Sequence, residues 1–448
     1  MLKKVLDFEN QVVALALSRR VWALISGPVT VYFLATYLRL DEQGYFYTFE
    51  SIIALKVFFE LGLSFVIMQF VSHETKNITV TKNNIIGDDR AISNISNILI
   101  FSKEKYRIVS FLLVTVIGFG GWVFFTYNGD VNQPNWKLAW FITVIFTSIN
   151  LYFIPYLAIL EGIGKRRSFY FKYLIEGVIS SLLMWTLCVF GFGLLAVAAT
   201  PVATMAISIL WVKFVEKDIF NILEGKAKSA FNSDLNKELW SMQKKIAISW
   251  ISGFFMTKLF SPMLFKFEGA ETAGVYGLSM VVISNLYIVG VTFVNTKSPL
   301  FGSLISKNDY ITLKEKFRKS ISMAISIYVF GAIVLFICLR VLDTYFYEYR
   351  TRFLSDLDFV ILLFAIFSNV IIASLQTFLR AFKDDPLVKL NLVNGLLNAA
   401  GGFIAIYFSG LSGLISWYCL VQTSICITVM IYTLKFFKTK TVQETKYS

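Results

Sequence analysis

The sequence predicts an all-α polytopic membrane protein, with twelve transmembrane helices arranged as two six-helix lobes. Three observations carry this. Of 448 residues, 56% are Ala, Val, Ile, Leu, Met, Phe, Trp, Tyr or Cys, and mean hydropathy is +0.65. Only 16% are Asp, Glu, Lys or Arg, against about 25% in ordinary soluble domains. The apolar residues gather in runs of about 20, the length a helix needs to cross the hydrocarbon core. A soluble enzyme, a secreted disulfide scaffold and a disordered chain are excluded at this step. The runs lack strand alternation, which argues against a membrane β-barrel.

Spans are expected at 20–38, 45–70, 108–127, 138–160, 173–191, 194–213, 246–265, 274–296, 320–339, 357–379, 387–408 and 411–434. Asp7, Glu9 and Asn10 interrupt the N-terminal stretch, and no isolated apolar segment ends at a small-residue cleavage site. The first run is therefore expected to remain as a span rather than leave as a signal peptide.

Lys and Arg set the orientation. With both termini cytoplasmic, 33 of the 42 basic residues fall on the inside and six outside: Arg39, Lys137, Lys266, Arg340, Arg350 and Arg352. The other three, Lys56, Lys258 and Lys297, lie in spans or at a span end. This is a strong positive-inside bias. It accounts for most of the +13 net charge without a nucleic-acid partner.

The loop at 71–107 is long. Ile92, Ile95 and Leu99 recur there at helical spacing beside Ser93, Asn94 and Asn97, which predicts a short amphipathic helix on the cytoplasmic membrane face. The basic segment 214–245 has six spans on either side and reads as a cytoplasmic linker. The lobes are then 1–213 and 246–434, with a cytoplasmic tail at 435–448.

Cys188, Cys338, Cys419 and Cys426 sit in apolar stretches without zinc or redox spacing. His73 is the single histidine. Neither a metal site nor a cofactor is expected.

The halves echo each other. Pro28 and Pro262 lie inside the first and seventh spans. Each is followed by an acidic, glycine-bearing turn, Asp41-Glu42-Gln43-Gly44-Tyr45 in one half and Glu271-Thr272-Ala273-Gly274-Val275-Tyr276 in the other. Six spans per half would make these parallel repeats. Proline removes an N–H and clashes with the preceding turn, so Pro28 and Pro262 are hinge candidates, with a static kink as the other reading. Pro155 and Pro201 carry the same two readings.

The stretch from Arg19 to Glu74 resembles the Wzx-type polysaccharide flippases of the multidrug/oligosaccharidyl-lipid/polysaccharide (MOP) transporter superfamily. The resemblance rests on Gly27-Pro28-Val29-Thr30, Leu40-Asp41-Glu42-Gln43-Gly44-Tyr45-Phe46-Tyr47-Thr48-Phe49, Phe58-Phe59-Glu60-Leu61-Gly62-Leu63-Ser64 and Gln69-Phe70-Val71-Ser72-His73-Glu74. It implies a MATE-like fold with two lobes around a central cavity, in the bacterial inner membrane. It further implies an undecaprenyl-pyrophosphate-linked oligosaccharide as cargo, O-antigen or a related surface polysaccharide as product, and a polysaccharide polymerase and chain-length regulator as partners.

Charges inside the spans then become the candidate site. A basic side chain at the midplane costs ~2.5–3.5 kcal/mol on insertion scales. Lys56 and Lys258 stand near the middle of the second and seventh spans, one per lobe. Facing a shared cavity, they would supply counter-charge to a pyrophosphate; the other reading for Lys56 is an ion pair with Glu60 four residues on. Arg39 is either an interfacial anchor or an exit-side phosphate contact, and Lys297 snorkels. Glu50 and Glu60 either take up a coupling proton or sodium ion or pair with the two lysines; Glu176 is a weaker candidate. Asn391, Asn394 and Asn398 share one helix face, as do Thr143, Thr147 and Asn150. The asparagines either bind sugar hydroxyls or join helices.

Two other functions are compatible with parts of the sequence. A cation-coupled multidrug exporter of the same fold would favour acidic cavity residues over basic ones. A membrane polysaccharide polymerase or O-acyltransferase would favour a large outside loop or an intramembrane histidine, and the sequence offers neither. An enzyme is therefore not expected.

Overall fold

The computed structural model describes residues 2–129, 134–226, 243, 251, 253–255, 258–382 and 386–444. The chain divides into two compact units, Met1–Ile251 and Ser252–Ser448.

The first unit opens with an uninterrupted helix, Leu2–Tyr37, that carries Pro28 in its interior. Its exit turn is closed by Gln43, whose buried amide donates to the Leu34 carbonyl at 2.8 Å. The second span is broken. Helix Leu40–Ile53 tightens into a 3₁₀ turn at Ala54–Lys56 and relaxes into one α turn, Val57–Glu60. Leu61 (φ 49°) and Gly62 (φ 71°) then take left-handed conformations. Helix Leu63–Glu74 leaves at an angle of 46°. Left-handed residues cannot continue a right-handed helix, so these two in succession end it without any proline, Gly62 at no steric cost and Leu61 against its Cβ.

Strands Ile78–Val80 and Ile85–Gly87 pair antiparallel, Thr79 opposite Ile86. The third helix then starts at Asp89, with the Asp88 side chain accepting from the Arg90 N–H at 3.0 Å. It continues through a π-helical stretch, Leu113–Gly118, to Asn128. This corrects the expectation of a surface helix between 71 and 107. Ile92, Ile95 and Leu99 belong to the start of the third helix and are buried within the unit. Their spacing marks a covered face, and what covers it is protein.

The fourth span parts at Phe153, just before Pro155, into Trp136–Tyr152 and Ile154–Gly162. Pro155 falls in the first turn of the new helix, where its missing N–H leaves no bond unmade. Helices Arg166–Val189 and Leu194–Leu210 follow, the latter carrying Pro201. A short amphipathic helix, Lys217–Gly225, buries Ile219, Phe220 and Leu223. The linker segment thus begins as part of the first unit.

In the second unit, Phe260–Asn295 is two helices joined at Gly269 (φ 88°, ψ 175°). Ser298–Ser306, Tyr310–Tyr345 and Asp356–Arg380 follow. The last element, Val388–Glu444, is again two helices, joined at Gly410 (φ 59°, ψ −148°). Pro262 lies in the first turn of Phe260–Asn295, after a break at Lys258 and Leu259.

Among the described residues, eight helices are long and apolar enough to cross a membrane, or nine with the bent second span. Two of the eight, Gly253–Ser306 and Val388–Phe436, contain the kinks at Gly269 and Gly410. Each expected span falls on a helix; the one at 246–265 lies partly outside the described residues.

Candidate functional site

The break in the second span organises the polar interior of the first unit. Glu60 is the last residue before the break and only 6% exposed. Its carboxylate Oε1 accepts from the Ser64 hydroxyl at 2.7 Å and from the Tyr106 phenol at 2.9 Å. Its main-chain carbonyl accepts from the Gln243 amide at 3.0 Å. A carboxylate buried in an apolar surround needs a cation, a proton or several donors. Here the donors are neutral hydroxyls, and no cation of the described residues pairs with it.

Lys56 does not form the pair with Glu60 that their spacing offers. The 3₁₀ turn Ala54–Lys56 ends at the lysine, and Glu60 closes the α turn that follows. The lysine is half-buried and has no carboxylate partner among the described residues. Glu50 lies on an exposed face of helix Leu40–Ile53. Lys258, in the second unit, is exposed at the break before Phe260, its N–H donating to the Phe254 carbonyl at 2.9 Å. It too lacks a carboxylate partner among the described residues.

Arg39 is bound to Asp41 at 2.6 Å, with the guanidinium largely exposed. Its main-chain N–H donates to the Glu42 carboxylate at 2.9 Å. Asn394 and Asn398 are buried in the second unit. Asn394 exchanges amide hydrogen bonds with Gln422, at 3.3 and 3.2 Å, and Asn398 donates to the Asn394 side chain at 2.7 Å. The Asn394–Gln422 bonds join the two helices on either side of Gly410, and neither asparagine has open surface in this structure. Asn391 is half-buried one turn away.

Several polar groups were not visible in the sequence pattern. Lys172 is 1% exposed and paired with Glu176. It stands just before the expected fifth span and counts there as a loop lysine, but the helix starts earlier, at Arg166. The i,i+4 spacing of Lys172 and Glu176 was the available signal. Beside this pair, the Arg19 guanidinium lies 4.8 Å from the centre of the Tyr173 ring.

The halves share one detail that composition does not show. Gly193 (φ 53°), before helix Leu194–Leu210, faces the Glu42 carboxylate; a Cβ on Gly193 would stand 2.5 Å from Oε1. Gly410 (φ 59°), at the corresponding turn of the second unit, faces Glu268 at the same 2.5 Å. Each unit places a carboxylate from its first helical turn region against a glycine at its last one.

No family model matches the chain, and no curated protein matches it either. Solved structures do. An inward-facing multidrug-resistance MATE-family transporter of the MOP superfamily aligns with TM-score 0.69 at 12% identity, covering 94% of this chain and 95% of that one. The lipid II flippase MurJ, in an inward closed conformation, aligns with TM-score 0.64 at 13% identity, over 96% and 90%. A MOP-superfamily transporter from Pyrococcus furiosus, described as having a binding pocket of reversed polarity, aligns with TM-score 0.55 at 14% identity, over 96% of each. The chain is an all-α polytopic membrane protein with a MATE-like fold.

Proposed function

We propose that the chain is a flippase that carries a lipid-linked oligosaccharide across a membrane by alternating access. The cargo is an undecaprenyl-pyrophosphate-linked repeat unit for O-antigen or a related surface polysaccharide, and the membrane is the bacterial inner membrane with both termini cytoplasmic. The observation that carries the reading is Lys56: a half-buried ammonium inside a broken span, with no carboxylate partner among the described residues. An uncompensated cation at that depth calls for an anionic partner, and a pyrophosphate meets the requirement. Lys258 is its proposed counterpart in the second lobe. Arg39 is proposed at the exit side and Asn391 beside the glycan, with Asn394 and Asn398 holding the helix behind it through Gln422. Glu60 is the proposed carrier of the coupling proton or sodium ion, with Glu50 as an accessory; Pro28 is proposed to let its helix bend, and Pro262 to keep the break at Lys258 and Leu259 as the hinge of the other lobe. The fold likeness to a lipid II flippase supports a lipid-linked cargo.

The test is surface-glycan export in a deletion strain complemented with Lys56→Ala, Lys258→Ala or both. Export is expected to fall while membrane levels hold. Normal export from the double variant would overturn the role of the lysines.

A second reading, a cation-coupled drug exporter, is favoured by Glu60, a buried carboxylate that no cation pairs with among the described residues, and by the likeness to multidrug transporters. A drug-susceptibility panel on the deletion strain separates the two: hypersensitivity with intact surface glycan would replace the flippase reading.

A further inference from the structure

The first unit has a pocket of about 580 Å³ away from Glu60 and Lys56. It opens where the strand pair, the turn after Gly162 and the residue before helix Lys217–Gly225 meet, and Lys82, Lys165, Arg167, Ser168 and Glu216 contribute to its walls. That volume lies in the ordinary range for small-molecule sites. All of these residues belong to segments that the positive-inside bias assigns to the cytoplasmic face.

The pocket is built, and its charges are not balanced. The tip of the strand pair is fixed by Thr81, which bonds Asn84 through main chain and hydroxyl at 2.8 and 3.0 Å. The Lys165 ammonium ties that tip to the rest of the wall. It donates to the Lys82 carbonyl at 2.6 Å and pairs with Glu216. Ser168 donates to the same Glu216 carboxylate and accepts from the Trp211 indole at 2.9 Å. Glu216 is thereby occupied by Lys165 and Ser168. Lys82 and Arg167 remain, both exposed and without a carboxylate partner among the described residues. Three cations against one carboxylate leave two uncompensated positive charges at a rigid concave wall. Ile78, Val80 and Ile163 supply apolar lining beside them.

We propose that this pocket binds a phosphoryl group, through Lys82 and Arg167, at the membrane–water boundary. Two positive charges suit a dianionic phosphomonoester or a diphosphate, and the guanidinium fork can hold two phosphate oxygens at once. The phosphate can come from an anionic lipid headgroup or from the free anion. The site is separate from the intramembrane lysines and does not depend on the identity of the transported cargo.

The test uses the full chain, purified in detergent and stripped of lipid, and native mass spectrometry. Phosphatidic acid and phosphatidylcholine with the same acyl chains are added in turn, with inorganic pyrophosphate as competitor against chloride of equal ionic strength. The pocket variant is Lys82→Gln with Arg167→Gln. A control variant, Arg90→Gln with Lys105→Gln, removes two exposed charges elsewhere. The wild type and the control are expected to retain phosphatidic acid over phosphatidylcholine, and the pocket variant to retain it at least about tenfold less. Displacement by pyrophosphate shows that the free anion occupies the same place. Retention without displacement assigns the site to lipid. A pyrophosphate adduct without lipid retention assigns it to the free anion. Equal behaviour of the pocket and control variants, or a wild type that shows neither phosphatidic acid retention nor a pyrophosphate adduct, overturns the proposal. The readout is binding alone, so failed glycan export would count against the flippase reading and leave this site standing.

Discussion

The Tyr106 phenol donates to Glu60 at 2.9 Å across 46 residues of sequence. It fastens the third helix to the point at which the second span breaks. Removing one donor from a buried carboxylate costs about 1–3 kcal/mol. Tyr106→Phe should therefore lower the thermal stability of the purified protein, and Glu60→Gln should lower it less, because an amide oxygen still accepts from Tyr106 and Ser64. If Glu60 carries the coupling ion, Glu60→Gln should nonetheless abolish gradient-driven transport in proteoliposomes. A Glu60→Gln protein that still responds to the gradient removes Glu60 from the coupling step.

Gly193 and Gly410 should be the least replaceable glycines of their units. Their backbone angles lie in a region that essentially only glycine occupies, which costs other residues about 1–3 kcal/mol. The Glu42 and Glu268 carboxylates also fill the space that a Cβ would enter. Gly193→Ala and Gly410→Ala should each lower the midpoint of thermal unfolding. Pairing Gly193→Ala with Glu42→Ala should recover only the steric part, since the backbone strain stays. Full recovery would show that crowding, and not conformation, fixes the glycine.

Lys172 and Glu176 form a buried pair on one helix. Breaking such a pair from one side leaves an uncompensated charge and costs about 3–5 kcal/mol, whereas replacing both with apolar residues of similar volume is often neutral or stabilising. Lys172→Met should be poorly stable, and Lys172→Met with Glu176→Leu should regain most of the loss. A double-mutant cycle on detergent thermostability measures this. Additive losses would mean that the two side chains act separately.

These residues show how far the sequence could be read. Runs of apolar residues fixed the spans, because the bilayer demands length and hydrophobicity from each one alone. The break at Leu61 and Gly62 was not legible, since the motif holding them contains no proline and a left-handed leucine has no sequence signature. Ile92, Ile95 and Leu99 gave a correct helix and the wrong surroundings: periodicity shows that a face is covered and is silent on whether lipid or protein covers it. For Lys56 the ion pair and the free cation were both open in the sequence, and the Glu60 carboxylate instead accepts from Ser64 and from Tyr106, a residue 46 positions away that no local pattern reaches. The pairing of Asn394 with Gln422 spans 28 residues and a kink, beyond the reach of any local pattern.

Close packing around the indole of Trp140 offers a test of the first unit's interior. The π-helical stretch Leu113–Gly118 shifts the main chain locally, and the Gly118 carbonyl accepts from the Trp140 Nε1–H at 2.9 Å. One turn on, a Cβ at Gly121 would stand 2.1 Å from the same indole. Trp140 is fully buried and packs at steep angles against Phe49 and Phe125, with ring centres 4.9 and 5.3 Å away, which limits its retreat. Overpacking of this kind costs about 1–3 kcal/mol. Gly121→Ala should thus destabilise by that amount in a thermal unfolding assay. Adding Trp140→Phe should relieve the clash while giving up the bond to Gly118, so the double variant should be more stable than the sum of the single losses predicts. A Gly121→Ala protein as stable as the wild type would mean that the third and fourth spans separate more readily than this contact allows.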